Sequence, residues 1–266
     1  MCTGNEACIR FKLLLSGQVV AAMASSIQSV SSADARRPRL SVIVPLAHGD
    51  DAELPALLDQ FAALPESTQV IVCRTDGSRV PVTPPAWPQG LSLIDSLSPP
   101  GRARQMNVGV ARAKGTWLWF IHADSRLRPT TLLALNTFLQ RDVDVLGYFD
   151  LAFRNDGPRL VAINAWGANF RSRALGLPFG DQGLLLRASR FEALAGFDES
   201  VAYGEDHHLV WAARHAGVPL QRIAAPLETS ARKYAQRGWL RTTIRHLHLT
   251  FAQAWPAWRH LRRRVR

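Results

Sequence analysis

The chain has 266 residues, 47% of them hydrophobic and 20% charged, an ordinary globular balance with room for one large α/β domain or two small ones. With 32 Lys and Arg against 21 Asp and Glu, the formal charge is +11, which admits polyanions, phosphorylated ligands and anionic membrane surfaces as partners without choosing among them. The three cysteines, Cys2, Cys8 and Cys73, exclude a disulfide framework or a C-x-x-C metal site and suit a reducing, cytoplasmic setting.

From Phe11 to Ala24 a mildly apolar stretch follows Arg10 and ends on Ala22-Met23-Ala24, but Glu6, Gly17 and Gln18 interrupt the pattern. It reads as a disordered or signal-like extension and is too short and polar to span a bilayer. Ser25 to Arg39 is a Ser-, Ala- and Arg-rich linker around Pro38, so residues 1–39 precede a domain expected over 40–235. Leu40 to Pro45 (LSVIVP) and Val70 to Cys73 (VIVC) are β-branched runs of the kind buried in parallel sheets, and Glu53 to Leu64 between them has helical apolar spacing. Strands are expected next around Leu91 to Ile94 and over Thr116 to Ile121, with a helix from Gly101 to Lys114 between them. Further on, Val145 to Phe153, Gly183 to Arg187 and Leu220 to Ile223 read as strands. Leu160 to Leu175, Arg190 to Leu194 and Glu205 to His215 read as helices. Strands alternating with helices predict a mostly parallel central sheet. Residues 236–266 hold eight arginines and no acid, with Trp239, Phe251, Trp255 and Trp258 among them. This basic helical segment suits either an anionic membrane surface or packing on the catalytic domain.

Candidate site residues sit where this layout places ligands. Asp124 follows an apolar strand directly, at the carboxyl edge where open α/β sheets bind; there it can coordinate Mg²⁺ or Mn²⁺ bridging a diphosphate, or act as a turn or N-cap residue before the helix near Pro129. Gly101-Arg102-Ala103-Arg104-Gln105-Met106-Asn107 places two guanidinium groups at a helix entry, a phosphate-binding combination or a pair of solvated charges. Glu205 and Asp206 open a helix after Tyr203-Gly204, where the helix dipole favours acids and one of them can serve as a general base. Asp181, in Phe179-Gly180-Asp181-Gln182, suits binding or turn-making equally.

In this order, SVIVP at Ser41, GRARQMNVGVARAKG from Gly101, WFIHAD ending at Asp124, GDQGLLLRASRFEALAGFDE from Gly180 and GED at Gly204 resemble the family 2 glycosyltransferases of the Rossmann-like GT-A fold. More narrowly, GRARQMN, HAD, GDQ and ETSARKYAQRGWLRT from Glu228 resemble the branch associated with radical-SAM and selenium-protein domains. The resemblance implies an inverting, metal-assisted transfer from a nucleoside diphosphate sugar, commonly a UDP-sugar, to an acceptor hydroxyl. It puts Asp124 on the metal and diphosphate, Asp206 as catalytic base with Glu205 in support, and Arg102, Arg104 and Asn107 along the donor. Asp181 and Gln182 would face the sugar or acceptor. His122 stands where the family has the first acid of D-x-D, leaving Asp181 or His207 to supply a second ligand. Asp50 or Asp51, and Asp76, are the candidates for contacting the base. A non-catalytic nucleotide-sugar-binding protein of the same fold is the alternative. The chain carries no nucleic-acid-reading motif, so no specific nucleic acid is expected; the expected location is the cytoplasm or the inner face of the membrane.

Overall fold

The apolar, β-branched runs become neighbouring strands because a strand buried on both faces can satisfy its backbone only by pairing on both edges. The computed structural model describes residues 39–46, 52–75, 87–201 and 203–264, of which 256–264 by backbone alone. The expectations for residues 1–38, Asp50, Asp51 and Asp76 lie outside the described residues. In chain order the elements begin β1 (Leu40–Pro45), α1 (Leu54–Gln60), β2 (Gln69–Arg74), β3 (Ser92–Leu97), α2 (Arg102–Arg112), β4 (Trp117–Phe120), β5 (Arg126–Leu127) and α3 (Pro129–Arg141). They continue with β6 (Leu146–Phe153), α4 (Val161–Leu175), β7 (Leu185–Arg187), α5 (Ala188–Ala193), α6 (Glu205–His215), β8 (Leu220–Thr229), α7 (Arg232–Arg237) and α8 (Trp239–Arg264).

The sheet runs β3-β2-β1-β4-β7-β6-β8-β5. Its first half is parallel: β1 pairs with β2 and β4, and β2 with β3, all in the same direction. The second half departs from a wholly parallel sheet, although most of the pairing is parallel as expected. There β7 runs antiparallel to both β4 and β6, and β5 antiparallel to β8, while β6 and β8 are parallel. The sheet is therefore mixed, because an apolar run reports that a strand is buried and carries no sign of its direction. β8 also extends beyond Ile223 to Thr229, past Pro226, where a break in register between Phe149 and Asp150 of β6 accommodates the extra residues. A proline at a bulge loses no ladder bond that it could have made.

Strand alternation divides the core into two layers. Trp117 and Trp119 of β4 face α1 and α3, packing with Leu57, Phe61, Leu135 and Phe138. Leu118 and Phe120 face α2, α5 and α6, with Met106, Phe191, Phe197 and Trp211. Gln105 Nε2 of α2 donates to Leu46 O at 2.8 Å and Cys73 O at 2.9 Å, so one buried amide ties the exits of β1 and β2 together. No helix among the described residues is long and apolar enough to cross a membrane.

Candidate active site

The carboxyl end of β4 opens into the turn His122-Ala123-Asp124-Ser125, closed by Ser125 N–H donating to His122 O at 3.0 Å. Asp124 does not cap α3: that helix starts at Pro129 behind Arg128, whose own N–H is satisfied by Thr131. Among the described residues Asp124 has no hydrogen-bond partner. Its charge is felt by Arg154 at the end of β6 and by Asp181.

Asp181 lies in the 3-10 turn Gly180–Gln182 leading to β7. Its Oδ1 is shut off from solvent and has no hydrogen-bond partner. Burial pushes its carboxyl up to about 6; the Arg171 and Arg102 guanidiniums oppose this, while Asp206 and Asp124 reinforce it. Arg171 of α4 is the facing cation, with its Nη2 also buried and unpartnered. Burial lowers its pKa against the pull of Asp181 and Asp206, and its guanidinium lies 3.5 Å from the centroid of Phe179.

Asp206 enters the same cluster from the first turn of α6. Its Oδ2 accepts from Gly180 N–H, and its Oδ1 accepts from His207 N–H at 2.9 Å. The approach is close enough to require a glycine: a Cβ on Gly180 would stand 2.9 Å from Asp206 Oδ2 and 3.3 Å from His122 Nε2. Buried Glu205 points to Arg102, its Oε1 3.6 Å from the guanidinium Nε. Its pKa is raised by burial and by Asp206, with Arg102 opposing. Burial holds His122 well below the usual histidine range, and Arg102 together with Lys233 of α7 acts in the same direction. The His122 ring is therefore neutral near pH 7. His207 is likewise neutral, pushed down by burial to about 4, and both its ring nitrogens are without partners.

The structure thus brings together Asp124, Asp181, Asp206, Glu205 and Arg102 from four separated segments. Arg104, Asn107 and Gln182, expected along the donor, sustain protein contacts in this structure. Arg104 faces Glu199 at 3.6 Å. Asn107 clamps the backbone of Phe197, donating to its O at 2.9 Å and accepting from its N–H at 3.1 Å. Gln182 is fully buried, accepting from Ser172 at 2.6 Å and donating to Phe149 O at 3.0 Å. Each is a polar side chain whose sequence pattern was compatible with a ligand and whose partners are protein groups.

Arg171, Lys233, and the arginines Arg126, Arg154 and Arg232 around Glu53 were not singled out from the sequence. Against the upward push of burial, Arg154, Arg232 and Arg126 hold the Glu53 carboxyl low, with contacts of 2.7 Å to Arg154 and 2.9 Å to Arg232. Three cations on one carboxylate leave this corner beside Asp124 net positive. Nothing local distinguishes these residues from solvated helix or loop charges; only the convergence of remote segments does. A separate surface groove of ≈ 430 Å³, between α3 and β8 around Leu133, Arg141 and Arg222, shares no residue with the acidic cluster. It has a mixed lining with no acid, and it lies away from the carboxyl ends of the parallel strands, so the cluster and not the groove is the candidate site.

Acids gathered beyond the carboxyl edge of an open α/β sheet, with cations set among them, form the kind of site in which such folds take phosphorylated ligands. The chain belongs to the family described as glycosyltransferase like family 2, which residues 38–263 match. A search of the curated protein sequences gives no match. Among solved structures the chain is similar to the mannosyltransferase PcManGT from Pyrobaculum calidifontis in complex with GDP-Man and Mn²⁺, with 20% identity and a TM-score of 0.59 over 83% of this chain and 65% of that one. It is also similar to S. aureus TarS 1-349 in complex with UDP, with 18% identity and a TM-score of 0.55 over 73% of this chain and 60% of that one. Against the longer S. aureus TarS it spans 37% of that chain, at 17% identity and a TM-score of 0.53. At these identities the likeness is one of fold, an α/β architecture with a sheet flanked by helices as in GT-A enzymes.

Proposed function

We propose that the chain transfers a sugar, with inversion, from a nucleoside diphosphate sugar to an acceptor hydroxyl, within the radical-SAM- and selenodomain-associated branch that its motifs resemble. The observation that carries this is the meeting of Asp124 and an Asp181 oxygen, both without hydrogen-bond partners among the described residues, with an Asp206 carboxylate oriented by two backbone N–H groups. Transfer requires charge to be neutralised on the departing diphosphate and a hydroxyl to be made nucleophilic on the opposite face of the anomeric carbon. Arg102 and Arg171 supply fixed positive charge within the cluster. Asp206, with both oxygens held but each keeping lone-pair capacity, takes the proton of the attacking hydroxyl. Glu205 holds Arg102 in place and so acts through it.

The described residues contain no cluster of three or more His, Cys, Asp or Glu side chains fit to hold a metal. Mg²⁺ commonly binds through one or two carboxylates together with substrate phosphates, and Asp124 with the orphaned Asp181 oxygen fits that smaller share. A Mg²⁺ or Mn²⁺ held there would add Lewis-acid stabilisation of the diphosphate. The fold neighbours bound to UDP and to GDP-Man support a nucleotide-sugar donor, with a UDP-sugar favoured. His122 in place of an acid favours a second reading, a nucleotide-sugar-binding protein without turnover. Thermal stabilisation by a panel of UDP- and GDP-sugars, with and without Mn²⁺, followed by product analysis with the best donor, tests both. Stabilisation without transfer or hydrolysis selects the binding protein, and no stabilisation by any nucleotide sugar refutes both. The acid-free C-terminal segment is read as peripheral to a membrane, on the cytoplasmic face.

A further inference from the structure

Helix α8 carries an apolar stripe that the fold leaves uncovered. Leu240, Ile244, Leu247 and Phe251 recur at alternating spacings of four and three residues and are exposed, Phe251 at 66%. Trp255 continues the stripe, its ring stacked on Phe251 at 5.6 Å between centroids. A second exposed stripe lies on α4, where Ile163, Trp166 and Phe170 face solvent, Trp166 at 70%, and Trp166 and Phe170 stack at 5.7 Å. The two helices meet at Asn164: its Nδ2, on α4, donates to Thr243 Oγ1 of α8 at 2.9 Å, and Trp239 Nε1 of α8 donates to its Oδ1 at 2.6 Å. By helical rotation of roughly 100° per residue, each stripe is turned away from that contact on its own helix. Exposed aromatic and aliphatic side chains repeated along two joined helices are more apolar surface than a soluble monomer commonly leaves bare.

Charge says what covers it. Arg237, Arg241 and Arg245 are exposed at its margin and have no ion-pair partner among the described residues, and α8 contains no acid over its whole length. Aromatic and aliphatic side chains beside unneutralised arginines match the boundary of an anionic bilayer, where the rings enter the headgroup region and the guanidiniums meet phosphate. A protein partner complementary to this face would need both a large apolar surface and an acidic rim; a second copy pairing through the same face offers only the same positive charge. We infer that α4 and α8 together form a membrane-docking face that seats the protein on an anionic lipid surface. This deepens the membrane-peripheral reading given above, on which it rests, by adding α4 and by locating the face relative to the active site. Gln253, on the inner side of α8, donates from Nε2 to Tyr203 O at 3.0 Å and lies against Gly204, where an added Cβ would be 2.3 Å from Nε2. The turn that aims Glu205 and Asp206 is thus packed against the inner side of the docking helix, which ties the docking element to the active-site turn.

The test uses the full chain and sedimentation with vesicles of phosphatidylcholine alone or of equal parts phosphatidylcholine and phosphatidylglycerol. Strong partition onto the mixed vesicles, weak partition onto the neutral ones, and quenching of Trp166 and Trp255 by brominated lipid are expected. Trp166→Glu with Phe170→Glu on one helix, and Ile244→Glu with Phe251→Glu on the other, should each lower partition tenfold or more while the thermal midpoint and nucleotide-sugar stabilisation remain. Undiminished binding in the α4 variant overturns the two-helix face, and equal binding to neutral vesicles overturns the charge argument. Binding that disappears on removal of residues 1–38 but survives both helix variants assigns the membrane contact elsewhere. A dimer in light scattering that dissociates in the α8 variant, without lipid binding by the parent, makes the face an interface between copies. Because the readout is lipid partition, these outcomes stand apart from loss of donor binding, which would instead refute the glycosyltransferase proposal.

Discussion

Replacing Asp181 by asparagine should stabilise the ligand-free protein at neutral pH and weaken it as a donor-binding enzyme. The carboxyl is raised by burial to about 6 from 3.8 in the open chain. Between those values the folded state holds a proton that the unfolded state has released, so stability falls as pH rises through the window, and the penalty is fully present above about 6. A shift of about two units corresponds to roughly 3 kcal/mol. Asparagine keeps the shape and the unpartnered oxygen but cannot ionise, so it should recover up to that amount, a rise of roughly 6–12 °C in midpoint for a domain of this size. The assay is thermal unfolding of both proteins in EDTA across the acidic to neutral range, with the midpoint difference plotted against pH. The two proteins should agree at acid pH, where Asp181 is protonated in either state, and separate as pH rises. A gap independent of pH, or a variant that is less stable at neutral pH, would refute the claim that burial strains this carboxylate. The accompanying loss of nucleotide-sugar stabilisation would identify the strain as one tolerated for ligand binding.

Asp206→Asn should lower turnover by roughly 10² or more, the usual scale for a positioned base, with donor affinity largely retained, since the amide oxygen can still accept from Gly180 N–H although the bond from His207 N–H is lost; single-turnover rates and donor titration separate the two. Asn107→Ala should cost about 1–3 kcal/mol by leaving the Phe197 backbone groups unpaired, measured by chemical denaturation, and should not change donor affinity. Gly204→Ala places a side chain at φ 81° and against Gln253, so it should destabilise the fold by about 1–2 kcal/mol and reduce turnover by misaiming the first turn of α6. An Asp124→Ala variant should lose whatever part of donor-induced stabilisation depends on Mn²⁺ and keep the remainder, as read by the same thermal assay.

Much of the architecture is legible in the residues because burial leaves a local imprint. LSVIVP, VIVC and TWLWFI are apolar on both faces and could only be interior strands, and Glu205 to His215 coincides with α6 to the residue. Direction and reach are less legible. Leu185–Arg187 reads the same whether it pairs parallel or antiparallel, and β8 passes Pro226 only because a bulge in the pairing with β6 admits it. Among the site residues, Asp124 and the Glu205-Asp206 pair announce themselves by position, at a strand exit and a helix start. Asn107 and Gln182 announce themselves equally well and prove to bond with Phe197, Ser172 and Phe149. Arg171 gives no local sign at all, since an arginine on a weakly amphipathic helix looks solvated until another segment buries it.

Residue chemistry alone determined that this chain folds as an α/β domain, that acids stand at the ends of its interior elements, and that its C-terminal segment is cationic and aromatic, because hydrophobic period, turn residues and charge act over a few neighbours. Which acids meet, which one has no hydrogen-bond partner among the described residues, and which apolar stripes stay exposed were decided only when segments far apart in the chain were brought together. Desolvation and the approach of another charge depend on three-dimensional distance, for which sequence separation holds no measure.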